Sequence, residues 1–255
     1  MDISESSAIV TGGGSGLGAE TARWLAEHGT HVVVLDRQEE NGRKVAAEIG
    51  GSFALADVSD EQQVQVAVDA AVEAAPLRVL VNCAGLGPAK RMVDRDGEPI
   101  PLKTFEFSIR VNLIGSYNCA RLAAAAMSRN EPGPDGSRGT ILHTASVAAF
   151  DGQIGQTPYS AAKGGVVGMT LPMARDLAMH GIRVNTIAPG LIDTPIYGVG
   201  EKADAFKEKL GTSVVFPQRL GAAAEFASLA LEILTNSYMN GEVVRLDGAV
   251  RLPPR

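Results

Sequence analysis

The chain has 255 residues, 45% of them hydrophobic and 20% charged, with a formal net charge of −6 at pH 7. That is enough for one large α/β domain with a substantial core, or for two small domains, in the ordinary composition range of globular proteins. The acidic balance argues against a nucleic-acid partner, and no apolar run reaches the ~18 residues of a membrane span. Met1–Glu5 shows no basic region followed by an apolar core, so no secretory signal is expected. Cys83 and Cys119 make no disulfide framework and point to reduced thiols in the cytoplasm. Neither has metal-ligand spacing with His28, His31, His143 or His180. No metal site is expected, and the histidines are assigned local structural or solvent roles.

Ser7–Val10 reads as a first buried strand running into Thr11-Gly12-Gly13-Gly14-Ser15-Gly16-Leu17-Gly18. Ala19–Glu27 reads as a helix with Ala22, Leu25 and Ala26 on one face. Strand, glycine turn and helix are the context of a dinucleotide fingerprint: the glycines admit the pyrophosphate close to the backbone, and the helix N-terminus offers N–H groups and a positive dipole end. His31–Leu35 is a second strand ending in Asp36, placed to accept the adenosine ribose hydroxyls and to repel a 2′-phosphate. This favours NAD over NADP, with Arg37 as the counter-signal.

Gln38–Ile49 reads as a polar-faced helix, Phe53–Ala56 as a third strand ending in Asp57-Val58. Ser59 is the expected N-cap of the next helix, with Gln62 at capping-box spacing, and Pro76 closes that helix. Val79–Val81 is a fourth strand leading to Asn82-Cys83-Ala84-Gly85, whose small residues let the loop pass under a cofactor. Gly87–Leu102 reads as a surface excursion. A long helix over about Phe105–Arg129 contains Asn112, a residue type usually exposed or merely tolerated there. Asn130–Arg138 is a loop, and Thr140–Thr144 a fifth strand leading to Ser146.

The segment Ser146–Lys163 carries the chemistry. Tyr159 and Lys163 are four apart, one turn of a helix on one face. A fixed ammonium there favours the phenolate and pulls its pKa down from ~10. With the Ser146 hydroxyl beside the phenol, the three residues make a device for moving a proton on or off an alcohol oxygen. The helix is expected to continue to about His180, with Gly164, Gly165 and Gly168 allowing close packing. Ile182–Ile187 is a sixth strand, broken by Ala188-Pro189-Gly190. Leu191–Pro217 reads as a substrate lid with a helical piece near Glu201–Leu210. Ala222–Leu234 is a helix, Val243–Leu246 a last strand, and Gly248–Arg255 a tail.

This alternation predicts an α/β fold: a single doubly wound Rossmann-type domain spanning 1–255, with a mostly parallel seven-stranded sheet and helices on both faces. Gly12, Asp36, Asp57, Asn82, Ser146 and Pro189 all follow strand ends and therefore converge on one edge.

Taken in order, Thr11-Gly12-x-x-x-Gly16-x-Gly18, Asn82-Cys83-Ala84-Gly85, Asn112, Ser146, Tyr159-x-x-x-Lys163 and Pro189-Gly190 resemble the short-chain dehydrogenase/reductase family over essentially the whole chain. The resemblance implies Tyr159 as general acid/base, Ser146 orienting the substrate oxygen, Lys163 on the nicotinamide ribose, and Asn112 holding a water that relays the proton. Three further stretches are Thr144–Phe150, Gly165–Pro172 with Ala174–Leu177, and Asn240–Gly248. With the Asn130-Glu-Pro132 loop, they look like the 3-hydroxyacyl-CoA dehydrogenase type 2 branch of that family. That resemblance carries Ser15, Leu17, Asp36, Asp57, Val58, Cys83, Tyr159 and Lys163 to the cofactor, Gln156 to the substrate and Ile192 to the nicotinamide end. Ala84, Gly85, Pro189 and Thr194 join the cofactor contacts. Val93–Leu102 and Tyr197–Val215 depart from the branch, and those loops meet the acyl chain and the CoA.

The expected activity is reversible oxidation of a short or branched 3-hydroxyacyl-CoA by NAD. The rival readings are a 3-ketoacyl-carrier-protein reductase, a steroid or other secondary-alcohol dehydrogenase, and a non-catalytic dinucleotide sensor. The resemblance also implies a homotetramer, with the last strand and Leu252-Pro253-Pro254 expected to meet a partner subunit.

Overall fold

Seven apolar runs become seven strands: β1 (Ser7–Thr11), β2 (His31–Asp36), β3 (Ser52–Leu55), β4 (Leu77–Asn82), β5 (Gly139–Thr144), β6 (Ile182–Pro189) and β7 (Val243–Leu246). The computed structural model describes every residue except Pro88, Val199 and Arg255. The parts of the expected excursion, lid and tail at those three positions lie outside the described residues. The strands form one sheet in the order β3-β2-β1-β4-β5-β6-β7. All six pairings are parallel, so the sheet is wholly rather than mostly parallel. β1, β5 and β6 are buried along their full length, as expected of strands covered on both faces.

Period-two alternation along the strands divides the core into two layers. Ile9, Val33, Leu35, Leu80, Ile141 and Val184 face one side, where they meet α3 (Glu61–Ala74) and α5 (Gly115–Met127) through Val64, Ala67, Ala71, Ala123 and Met127. Ala8, Val10, Val32, Val34, Val79, Val81 and Leu142 face the other. There they meet α1 (Gly16–Glu27), α2 (Glu39–Glu48) and α8 (Ala223–Thr235) through Ala22, Leu25, Val45, Phe226 and Ile233. The connection order reverses between β1 and β4, which opens a crevice beyond their carboxyl ends. No helix among the described residues is long and apolar enough to cross a membrane.

Four local expectations change. Asp60, not Ser59, caps α3, accepting from Gln62 N and Gln63 N at 3.0 Å each. Asp57 takes the Ser59 amide and hydroxyl instead, at 2.9 and 2.8 Å. The long helix is interrupted: α4 (Leu102–Ile109) passes into a π-helical segment, Arg110–Ile114, before α5. Asn112 lies in that segment and is fully buried rather than tolerated at the surface. Within α6 (Thr157–Leu177) only Gly165 packs closely: a Cβ there would lie 2.6 Å from Leu113 Cδ2, while Gly164 and Gly168 face open space.

The lid region holds a one-turn helix at Pro195–Tyr197 and α7 (Glu201–Gly211). Lys207 anchors α7 on Asp193 at 2.8 Å, and Tyr197 meets Phe206 edge-on with ring centres 6.2 Å apart. The tail lies on its own chain, with Pro253 O and Pro254 O accepting from Gln153 Nε2 and Ile154 N at 3.0 Å each.

Candidate active site

The glycine turn after β1 has the conformations that only glycine adopts readily. Gly12 and Gly16 are left-handed, with φ of 65° and 54°. A Cβ on Gly12 would stand 2.8 Å from the Ala84 backbone, and one on Gly18 would run into the Gly12 carbonyl. The turn therefore packs against the Asn82–Gly85 loop and against the first turn of α1. Ser15 occupies the N-cap position of α1 without making a side-chain cap bond, which leaves the first helical amides for an anion.

A cleft of about 970 Å³ follows from this arrangement. Gly12, Ser15, Gly16, Leu17, Gly18, Asp36, Val58, Cys83, Ala84, Gly85 and Thr194 line it. At one end, Asp36 accepts from Gly14 N and Gln38 N at 2.9 Å each. Arg37, the counter-signal, reaches instead toward Asp57 at 3.7 Å. Thr194 sits over Gly16, so the root of the lid touches the glycine turn. Asp57, Asn112, Ser146, Gln156, Tyr159, Lys163, Pro189 and Ile192 stand outside the lining. Ile192 is turned under the lid against Gly221.

Ser146, Tyr159 and Lys163 come together at the end of β5. Ser146 caps the short turn Val147–Ala149, its Oγ accepting from Ala148 N at 3.1 Å. Lys163 is almost wholly buried and donates to the Thr144 carbonyl at 2.6 Å, with its Nζ 5.8 Å from the centre of the Tyr159 ring. Burial pushes the Tyr159 phenol above its ordinary value, with hydrogen bonding to Ser146 opposing that rise. Burial also pushes the Lys163 ammonium down, to about 8. The expected depression of the phenol is therefore not met in this geometry. One-turn spacing puts the two residues on one face, but the ammonium is aimed at the strand end rather than at the hydroxyl.

Asn112 completes the floor. Its Oδ1 accepts from Leu86 N at 3.1 Å, and its Nδ2 donates to Leu86 O and Ser108 O at 3.0 Å each. Both ends of the side chain thus hold the loop after β4. A Cβ on Gly85 would lie 2.7 Å from Asn112 Oδ1 and 3.5 Å from Lys163 Nζ, so that glycine is the gap through which the two meet the cleft. Gln156 precedes α6, and its Oε1 accepts from Gln153 N at 2.9 Å, so its carbonyl end serves the turn. Cys83 lies beside Thr144 at 3.5 Å, and burial pushes its thiol up to about 11, an inert thiol rather than a nucleophile.

The hydrogen-bond roles of several supporting residues were not read from the sequence. Thr11 accepts Ala84 N at 3.1 Å and points its hydroxyl at Asn82 Oδ1, 3.4 Å away. Asn82 then faces His143 Nδ1 at 3.2 Å, and burial pushes that imidazole down to about 3. A polar residue at the last position of a buried strand is the signal that could have marked Thr11 and Thr144.

The family model described as short chain dehydrogenase matches residues 6–204. The 3-hydroxyacyl-CoA dehydrogenase type-2 of Bos taurus is 49% identical over 251 residues, covering 97% of this chain and 95% of the relative. The protein of the same name from Drosophila melanogaster is 46% identical, covering 99% of this chain and all of the relative. The crystal structure of 3-hydroxyacyl-CoA dehydrogenase type-2 from Mycobacterium avium superposes with a TM-score of 0.93 at 46% identity, covering 98% of both chains. The chain belongs to the short-chain dehydrogenase family of oxidoreductases.

Proposed function

We propose that the chain catalyses the reversible oxidation of short or branched 3-hydroxyacyl-CoA esters to 3-ketoacyl-CoA, with NAD as the hydride acceptor. The observation that carries the reading is the meeting of Ser146, Tyr159 and Lys163 at the end of β5, with Gly85 of the cleft lining against Lys163. The names of the similar proteins supply the substrate class.

The residues fit a nicotinamide dinucleotide. Gly12, Ser15, Gly16, Leu17 and Gly18 would receive the pyrophosphate, and Asp36 the adenosine ribose. Val58, Cys83, Ala84 and Gly85 would form the floor, with Asp57 behind it. Tyr159, Lys163, Pro189, Ile192 and Thr194 would surround the nicotinamide end. When bound, the nicotinamide supplies the carbon that accepts the hydride. The chain supplies position and proton handling. Ser146 holds the substrate oxygen, and Tyr159 exchanges the proton with it, as the phenol in reduction and as the phenolate in oxidation; Lys163, with an ammonium pushed to about 8, is the next group in the relay. Asn112 stands at the exit of that relay, and Gln156 borders the substrate. The carboxylate of Asp36 favours NAD, because a 2′-phosphate beside it would place like charges together.

Leu191–Pro217 acts as the lid, with the Tyr197–Phe206 pair inside it. The chain is read as a cytoplasmic homotetramer with no nucleic-acid or membrane partner. The free thiols of Cys83 and Cys119 support the compartment, and the half-exposed Phe107, Ile114, Tyr117 and Leu171 support the assembly. The test is oxidation of NADH or NADPH by acetoacetyl-CoA, followed by absorbance. Turnover with NADH well above NADPH is expected. Turnover only with a carrier-protein thioester and NADPH would overturn the reading.

A further inference from the structure

Arg245 lies in β7, opposite Ala188 of β6, and its side chain reaches Asp151, just beyond the Ser146 turn. Its Nη2 donates to Asp151 Oδ2 at 2.7 Å and to Val250 O at 3.2 Å, and its Nε donates to Asp247 Oδ2 at 2.7 Å. The guanidinium also lies 5.2 Å from the centre of the Phe150 ring. The groups are mostly shielded: the Arg245, Asp151 and Asp247 side chains are 22%, 21% and 9% exposed.

Each carboxylate is attached to a different wall of the site. Asp151 N donates to Val147 O at 2.9 Å, closing the short turn that begins at Ser146. Asp247 lies against the Pro189–Gly190 turn: a Cβ on Gly190 would stand 2.7 Å from Asp247 Cβ, and Gly190 N donates to Leu246 O at 2.9 Å. Asp247 also accepts from Ala249 N at 3.0 Å, holding Ala249 at a φ of 64°, a conformation alanine rarely adopts. From there the tail returns to Gln153 and Ile154 and closes a ring of contacts.

We propose that Arg245 is a positioning residue that fixes the Ser146 turn relative to the Pro189–Gly190 turn, and so sets the spacing between the proton-handling side chains and the nicotinamide end of the cleft. The proposal rests on the roles given to Ser146 and Tyr159 under the proposed function. Two carboxylates on separate segments, both at 2.7 Å, use different nitrogens of one planar fork, a geometry an ammonium does not reproduce. Arg245 is not among the residues lining the cleft, so its effect is on alignment.

The test compares the unsubstituted chain with Arg245→Met, Arg245→Lys, Asp151→Asn and the Arg245→Met/Asp151→Asn pair. The readouts are kcat and KM for acetoacetyl-CoA, NADH affinity by fluorescence, thermal unfolding, and hydrogen exchange of the Ala148–Asp151 amides. Arg245→Met and Arg245→Lys should lower kcat by roughly 10–100-fold, the scale of a misplacement near 1 Å, with NADH affinity within about twofold. The pair should be no slower than Arg245→Met alone, and amide exchange at Ala148–Asp151 should rise. A folded Arg245→Met with unchanged kcat, or with unchanged exchange in that turn, overturns the proposal. If Arg245→Met does not fold, Asp151→Asn decides by the same two readouts. Failure of the acyl-CoA reading would show in the unsubstituted chain, whereas failure of this proposal shows only in the variants and in the exchange data.

Discussion

The Lys163 ammonium donates to the Thr144 carbonyl at 2.6 Å and stands 5.8 Å from the centre of the Tyr159 ring. The lysine is thus fastened to the end of β5, the strand that leads into Ser146. Its charge is held under the site by the backbone, and burial lowers its own pKa to about 8 while raising that of the phenol. Two groups whose ordinary values are nearly equal are moved apart, so the ammonium gives up its proton before the phenol does.

Tyr159→Phe removes the hydroxyl that gives the substrate oxygen its proton in reduction, and little else. It should cut kcat for acetoacetyl-CoA reduction by about 10²–10⁴, with NADH affinity changed less than about threefold. Stopped-flow turnover and fluorescence titration measure the two quantities, and a folded variant with near-parent kcat removes Tyr159 from the role.

Lys163→Met gives a signed pH test. The folded-state pKa, about 8, is below the ordinary value of 10.5. Below pH 8 the lysine is charged in both states and its burial cost is fully expressed. Between pH 8 and 10.5 the unfolded chain binds more protons, so the parent gains stability as pH rises. The methionine variant lacks this gain, of about 3 kcal/mol in order of magnitude. Urea unfolding at pH 7.5 and 10 should therefore show the parent gaining on an inactive variant; equal changes in the two proteins would contradict the burial cost.

Asp36→Ala removes the carboxylate from the adenosine end of the cleft. NADH affinity should fall and NADPH affinity improve, moving the ratio by about 10–100-fold, the worth of a charged hydrogen bond. Steady-state kinetics with both cofactors provide the measurement, and an unmoved ratio would remove Asp36 from cofactor choice.

Much of this was legible in the chain. The strands are apolar runs ended by turn residues, and the β1 turn announces itself by its glycines. The Tyr159–Lys163 pair is visible because helical spacing alone puts both on one face. What was not legible depends on contacts between distant segments. Ser59 and Asp60 are both good caps, and the choice is made by Asp57, which claims Ser59. The burial of Asn112 depends on the Leu86 amide and carbonyl, which only the folded sheet brings near. Spacing also does not tell where a lysine's last atom points, which is why the phenol's shift was expected with the wrong sign.

The three glycines of α6 separate packing from propensity. Gly165→Ala should destabilise by about 1–3 kcal/mol, since its Cβ meets both Leu113 methyl groups. Gly164→Ala in a dilute chain meets nothing and should gain about 0.5–1 kcal/mol. Thermal unfolding ranks them, and the reverse order would show that Leu113 yields and that Gly164 is covered.

The wide turn at Arg110–Ile114 makes chain length, as much as chemistry, a condition of this site. Excising a single amino acid there would let the rod resume its normal pitch at slight energetic cost. Side chains on either side would keep their facing, because the wide turn is itself the extra residue, but those inside it would turn by up to about 100° around the axis, and Asn112 would leave Leu86. A catalyst of this build should thus accept many replacements along that rod yet be silenced by one shortening, while still passing as well folded.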